Sequence, residues 1–445
     1  MTTRHTYTAI AALLVCSLSA RAQDQGFWAL ERCIAQAKEM NIDLKISRND
    51  YRKAELGHRQ NLWDMGPQVN GYASSTVDFQ RSTNQNNQIE SGTTYSVGYG
   101  LTGSMNLFAG FTAHNRAAAG RFYKLAAAES TQLAEYQLVT DITSLYANAL
   151  YQKALIDVAR EKYETSLYEA QRIVATIEAG QLEQVALDEI NATVSENRLQ
   201  LSRVQNDYLL TKLQLAQAIE TPNDSAFDIS DATLEAVLPQ QTNLGVDSLY
   251  LITCTVYPSV RQSEYEMDYY KKLLHVARGT LAPSLSLLGG YTSGFYSTDT
   301  LDNGKKTPFS TQFDNYRNPY MGLSLNVPLW GARQKSYQAK MNKIDLENAV
   351  LAYENKKKQL RRELEEAVFK LNALYLEYVA AADNLVFTEK SFGTYREKFR
   401  MGMIGTTDFM NAQNLYSQAR SNVMLARFSW AVQQKTLQLY LGNYR

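Results

Sequence analysis

Cysteine, histidine and proline are all scarce in this chain of 445 residues, at three, four and eight copies. Cys16 falls in the N-terminal leader described below, which leaves Cys33 and Cys254, too few for a disulfide framework. Whether those two are bridged stays open, unpaired packing being the commoner state of such residues. His5, His58, His114 and His275 stand apart, with no H-E-x-x-H pair or Cys–His cluster. Neither a G-x-S-x-G elbow nor a Walker loop occurs. The sequence therefore offers no catalytic residue, no metal-ligand set and no cofactor site, and the chain is not read as an enzyme. Basic and acidic residues number 45 each, so no general basic field exists to hold a nucleic acid. Nor does any apolar run approach the roughly 20 residues of a membrane helix.

The shortage of proline permits what is present instead. No proline lies between Pro67 and Pro222 or beyond Pro328, so nothing interrupts helix across 111–179 or 331–401. Leu138, Ile142, Leu145, Ala149, Ile156, Ala159, Tyr163, Leu167, Ala170, Val174 and Ile177 keep three- and four-residue spacing, which predicts one face packed on another helix. Each long segment would extend about 100 Å at the helical rise. Shorter helical stretches are expected at 27–65, 183–220, 247–282 and 406–441, each roughly 50 to 60 Å.

Between these lie segments of period two. In TYSVGYGLTGSMNL, residues 94–107, apolar Tyr95, Val97, Tyr99, Leu101, Met105 and Leu107 alternate with small or polar residues, Gly103 being the one gap. Residues 320–329 repeat the pattern. Weaker partners, 69–79 and 285–295, follow Pro67 and Pro283 across polar loops, which makes two hairpins, 67–107 and 283–329. All four match the about nine to eleven residues of a transmembrane strand, which sets apolar side chains to lipid and polar ones to the lumen. Gly98, Gly100 and Gly103 satisfy G-x-G-x-x-G, but they sit inside an alternating strand rather than on the strand-to-helix turn that a dinucleotide needs.

The organisation is a tandem repeat. Pro67 and Pro283 differ by 216, as do the starts of NIDL at Asn41 and YPSV at Tyr257, while Leu107 and Leu329, and Gly180 and Gly402, differ by 222. Residues 1–22 read as an export signal, with Arg4 and His5 ahead of an apolar stretch and Ala20-Arg21-Ala22 before Gln23. Its removal takes two arginines and leaves a net charge of −2. The first repeat then covers 23–220, the second 247–445, and 221–246, with Pro222, Pro239 and Gly245, is expected to be an irregular equatorial linker.

Two turns complete the pattern, EAGQLEQ at 178–184 and RMGMIGTTDF at 400–409. Gly180 and Gly402 suit the left-handed residue that ends a helix, Thr406 or Thr407 suits the next cap, and Asp408 falls in the first turn near the positive end of the dipole. Asp408 reads equally as a plain helix-start carboxylate.

The signal, NIDL and YPSV before the prolines, MNLFAG and VPLWGA at the strand exits, and Met401-Gly402 to Asp408 followed by Ala412, Leu415, Tyr416 and Ala419 together resemble the TolC family of outer-membrane efflux channels. The resemblance covers essentially the whole mature chain. It implies an α+β membrane protein, with a long α-helical coiled-coil tunnel in the periplasm and four transmembrane strands per chain. Four strands cannot close a barrel, and an open edge in lipid leaves backbone groups unpaired, so chains must associate. Two copies would give eight strands and three would give twelve; the resemblance selects a homotrimer. It further implies a passive exit duct in the outer membrane of a Gram-negative bacterium, serving a periplasmic adaptor and an inner-membrane efflux pump or secretion ATPase. The adaptor would dock on the tip turns at Gly180, Gly402, Gly405, Thr406 and Thr407. The family's periplasmic gate of aspartates falls here on Asp408 and Asn411, with its counterpart acid in the first half replaced by Ala186. The alternative from another class is a structural or adhesive coiled-coil rod anchored in the outer membrane without a through-channel.

Overall fold

The computed structural model describes residues 27–83, 89–181, 183–222, 227–229, 238–241, 245–301 and 305–442. The expected signal, 1–22, and most of the linker lie outside them. In chain order the elements are β1 (Phe27–Trp28), α1 (Leu30–Met40), α2 (Ile42–Trp63), β2 (Gln68–Thr83), β3 (Ile89–Ala109), α3 (Thr112–Glu178), α4 (Gln184–Ala218) and β4 (Asp228–Ile229). The second half continues with α5 (Val246–Val256), α6 (Pro258–Gly279), β5 (Ser284–Tyr296), α7 (Phe309–Asn315), β6 (Asn318–Asn326), α8 (Ala332–Arg400) and α9 (Thr406–Tyr440).

The two proline-free stretches form uninterrupted helices of 67 and 69 residues. The stretches 27–65 and 247–282, expected as single helices, each divide in two. Asn41 stops α1, and its Oδ1 accepts the Leu44 N–H at 2.9 Å, capping α2. In the second half α5 ends at Tyr257 and Pro258 opens α6, where its missing N–H costs nothing. NIDL and YPSV thus mark one break, made by two different chemistries.

Residues group into two compact units, one drawing on Met1–Ile46, Leu133–Tyr257 and Leu360–Arg445 and the other on Ser47–Gln132 and Pro258–Gln359. The second unit holds an antiparallel sheet in the order β2-β3-β5-β6, so each repeat supplies one hairpin and the β3–β5 pair joins them. Gly100 is paired within this ladder, where a Cβ would lie 2.6 Å from the Tyr291 carbonyl oxygen. That strand setting disposes of the nucleotide-binding pattern. The last strand stops at Asn326 rather than at 329, because Pro328 has no N–H to donate to a ladder. Beside the sheet, α2 meets α3, with His58 Nδ1 3.1 Å from the Ala117 carbonyl, and Arg261 of α6 reaches buried Glu129 of α3 at 3.1 Å.

The first unit is helical around Ile142, Tyr146, Leu215 and Trp430. The expected inward face of α3 holds at Ile142, Ala149, Ala159 and Ala170, but Leu167 and Val174 are exposed, while Val139 is buried beside Leu138 and Ile173 beside Val174. Within the linker, β4 pairs in parallel with β1, a short sheet where only irregular chain was expected. Tyr146 OH donates to the Trp28 carbonyl at 2.9 Å and Tyr208 OH to Asp228 Oδ1 at 2.9 Å, which fastens this pair to the helices. Cys33 and Cys254 are both free thiols, and burial pushes the Cys33 pKa up to about 12.

Candidate functional site

The helical unit carries both turns singled out in the sequence, and they share a backbone design. Gly180 and Gly402 adopt φ of +73° and +71°. After α3, Gly180 N–H donates to the Ile177 carbonyl and Gln181 N–H to that of Thr176; after α8, Gly402 N–H donates to Phe399 and Met403 N–H to Lys398. This double bond satisfies carbonyls that the ending helix would leave unpaired.

The next helix starts differently from expectation. Gly405, at φ −79° and ψ 171°, is the cap of α9, and no side chain caps it. Thr406 is instead the first helical residue and is buried, whereas Thr407 is exposed. A threonine already in helical conformation cannot offer its hydroxyl to the amides that follow as a cap does. Asp408 lies in the first turn and is exposed, as are Asn411 one turn on, Gly180, Gly402 and Gly405. Asp408 and Asn411 therefore share one solvent-facing edge of α9.

The two turns are brought together by a core that sequence reading did not single out. Ile173 of α3, Ile190 of α4, Phe392 and Phe399 of α8, and Phe409 and Ala412 of α9 pack as one cluster, with Ala186 at its margin. Phe399 stacks on Phe409 at 4.6 Å and Phe392 on Tyr416 at 5.2 Å. Ala186 packs against this core as one of its partly buried apolar groups. Arg172 ties the two halves: it donates to buried Glu169 at 2.6 Å and to the Phe399 carbonyl at 3.3 Å, with its guanidinium over the Phe399 ring. Arg420 pairs with Glu161, and Gln413 donates to the Lys162 carbonyl at 3.4 Å. Phe399 and Phe409, set symmetrically about the turn, were the available signal.

The four-stranded sheet is the second candidate surface. Its pairing places Val69, Ala73 and Val77 of β2, Tyr95, Tyr99 and Leu101 of β3, Leu285, Leu287 and Tyr291 of β5, and Met321, Leu323 and Leu325 of β6 on one face. Most of the large apolar side chains among them are exposed. Among the described residues no helix is long and apolar enough to cross a membrane, and no cluster of side chains suited to a metal ion occurs.

Comparison with known proteins completes the description. Residues 33–220 and 257–443 match the sequence profile of the outer membrane efflux proteins. The outer membrane efflux protein BepC of Brucella suis biovar 1 (strain 1330) is 21% identical over 333 residues, 73% of this chain and 69% of its own. The fold resembles that of CusC, at a TM-score of 0.80 and 18% identity over 94% of this chain and 93% of that one. It also resembles the Campylobacter jejuni CmeC outer membrane channel, at 0.77 and 17% identity over 93% and 85%.

Proposed function

Because this chain belongs to the outer membrane efflux protein family, we propose that its membership in that family of outer-membrane efflux channels takes the form of a homotrimeric exit duct. Three sheets would join edge to edge, β6 of one copy beside β2 of the next, to close a twelve-stranded barrel, and the helices would form the periplasmic tunnel. The observation that carries this reading is the sheet itself. Among the described residues its outer strands β2 and β6 each pair along one edge only, and one of its faces is apolar. In lipid an open edge costs several kcal/mol per unpaired group, and closure across copies removes it.

The helices support association as well. Phe369 and Phe387 of α8 are 76% and 70% exposed in the single chain, with Leu376 between them also exposed. Apolar groups repeated along a helix in this way suit burial against another copy.

In this reading substrates pass through without chemistry, and an inner-membrane pump or secretion ATPase supplies the driving force. A periplasmic adaptor docks on the exposed tips at Gly180, Gly402, Gly405 and Thr407, with buried Thr406 acting as packing beneath them. Asp408 and Asn411 from three copies line the periplasmic gate, where carboxylates favour cations. Single-channel recording in planar bilayers tests the proposal: stable conductance is expected, and a trimer mass in detergent accompanies it. Absence of a stable ion current would favour the anchored rod instead, and a monodisperse monomer would overturn the barrel.

A further inference from the structure

One end of the sheet's apolar face is covered by the chain itself. The segment between β5 and β6, expected to be a polar loop, folds α7 onto β3 and β5. Phe313 stacks on Tyr99 at 5.5 Å between ring centroids, and Phe309 lies 6.1 Å from Tyr99 and 5.9 Å from Phe295. Buried Gln312 makes the attachment specific. It accepts the Tyr296 N–H at 2.7 Å and donates to the carbonyls of Tyr296 and Thr307 at 3.1 and 2.9 Å. Ser293, on the apolar face opposite Tyr99, donates to the Phe313 carbonyl at 2.9 Å. A hydroxyl facing hydrocarbon is thereby satisfied.

The outer surface of this docked helix is itself apolar in part. Phe309 is 54% exposed, and Phe313 and Tyr316 also reach solvent. A segment made only for water gains nothing from presenting these rings after spending four hydrogen bonds to fix them in place. Polar Ser310, Thr311 and Asp314 are interleaved with them and exposed. Aromatic bodies with polar neighbours are what the boundary between acyl chains and headgroups selects.

Position along the strand agrees. From Ser284, where β5 begins, to Ser293 beneath α7 there are nine residue steps, or about 30 Å of strand at the usual rise. Tilted as barrel strands are, that is about 21 to 24 Å of height, close to the roughly 25 Å apolar band of a transmembrane barrel. Helix α7 therefore sits where the hydrocarbon ends.

We infer that α7 is an interfacial anchor, seated on the headgroup level of the outer membrane with Phe309 and Phe313 in contact with lipid. The inference rests on the membrane barrel proposed above. It commits to lipid as the occupant because the surface is continuous with the sheet's apolar face. The segment carries charges of both signs in equal number, Lys305, Lys306 and Arg317 against Asp299, Asp302 and Asp314 in the sequence, with Arg317 paired to Asp314 at 3.5 Å. No anionic headgroup is required, so phosphatidylcholine vesicles serve as the probe.

The test places a nitroxide at single sites of the full chain carrying Cys254→Ser, reconstituted in those vesicles. Phe309→Cys is the primary site, with Ser310→Cys as the second should the first fold poorly. Leu323→Cys and Asn355→Cys provide references on the apolar sheet face and on exposed helix. Collision with dissolved oxygen and with a water-soluble nickel chelate is then compared at each. The expected result is an oxygen-to-nickel ratio at 309 and 310 several-fold above that at 355 and below that at 323. A ratio at 309 and 310 equal to that at 355, with 323 still in lipid, overturns the anchor and leaves the barrel standing. Water-like ratios at 323 as well overturn the barrel and the anchor with it.

Discussion

Gly180 and Gly402 hold the same left-handed conformation 222 residues apart, each closing a helix with the same two backbone hydrogen bonds. A Cβ built at either would meet nothing within 4 Å. Any penalty for a side chain there is thus backbone strain alone, about 1 to 2 kcal/mol per residue for an ordinary L-residue. Gly180→Val or Gly402→Val should leave trimer assembly and membrane insertion intact while abolishing export, because the tip changes shape where an adaptor would touch it. Export assays beside native gels read this directly, and unchanged export in both variants would remove the tips from the docking surface.

Asp408 should set ion preference. In the proposed trimer three Asp408 carboxylates would converge at the gate, so Asp408→Asn is expected to lower cation selectivity and weaken block by multivalent cations. Its effect on stability should stay within about 0.3 to 1 kcal/mol, the worth of a carboxylate at a helix start. Reversal potentials under a salt gradient compare the two proteins. Equal cation preference would return Asp408 to the role of a helix-start residue.

The cysteines should differ sharply in reactivity. Cys33 is buried and its thiol is pushed up to about 12, so at pH 8 it stays protonated and sheltered. Cys254 is only half-buried. Maleimide labelling of the native protein should modify Cys254 alone, and denaturation should expose both without a reductant. Labelling of Cys33 in the folded protein would contradict its place in the core.

Glu129 should make stability fall as pH rises. Burial raises its pKa above the ordinary carboxylate value, with Arg261 at 3.1 Å opposing only in part, and its Oε2 has no hydrogen-bond partner. The folded state therefore holds this proton more tightly than the unfolded chain does. The contribution is fully present below about pH 4.5, the ordinary value, and is lost as pH climbs through the raised folded one. Glu129→Gln should flatten that decline in thermal midpoint between pH 4.5 and 7, and a parallel decline in wild type and variant would exclude the group.

Much of this was readable beforehand because its cause is local. Period two from Tyr95 to Leu107 and the absence of proline after Pro328 each impose one backbone geometry, and the glycines at 180 and 402 are fixed by a conformation few other residues take. What escaped depended on partners distant in the chain. Val139 and Ile173 displaced the expected Leu138 and Val174 in the core because the neighbouring helices select the buried edge. Thr406 lost the cap to Gly405 because the helix has already begun at Thr406, whose side chain is buried. The pairing of β1 with β4 involves two residues per strand, too few to leave any periodic trace. Helix α7 escaped for a related reason, since Gln312 reads as a polar loop residue until Tyr296 and Thr307 surround it.

The sheet order has a geometric corollary. Since β3–β5 joins the two repeats within a chain in the way β6–β2 would join neighbouring chains, three copies would present six nearly equivalent hairpins around one axis. The tips inherit that arrangement in shape, through Gly180 and Gly402. They break it in charge, because Asp408 has no acidic counterpart at Ala186. A partner that reads contour would find six seats, whereas an ion that reads charge would find three.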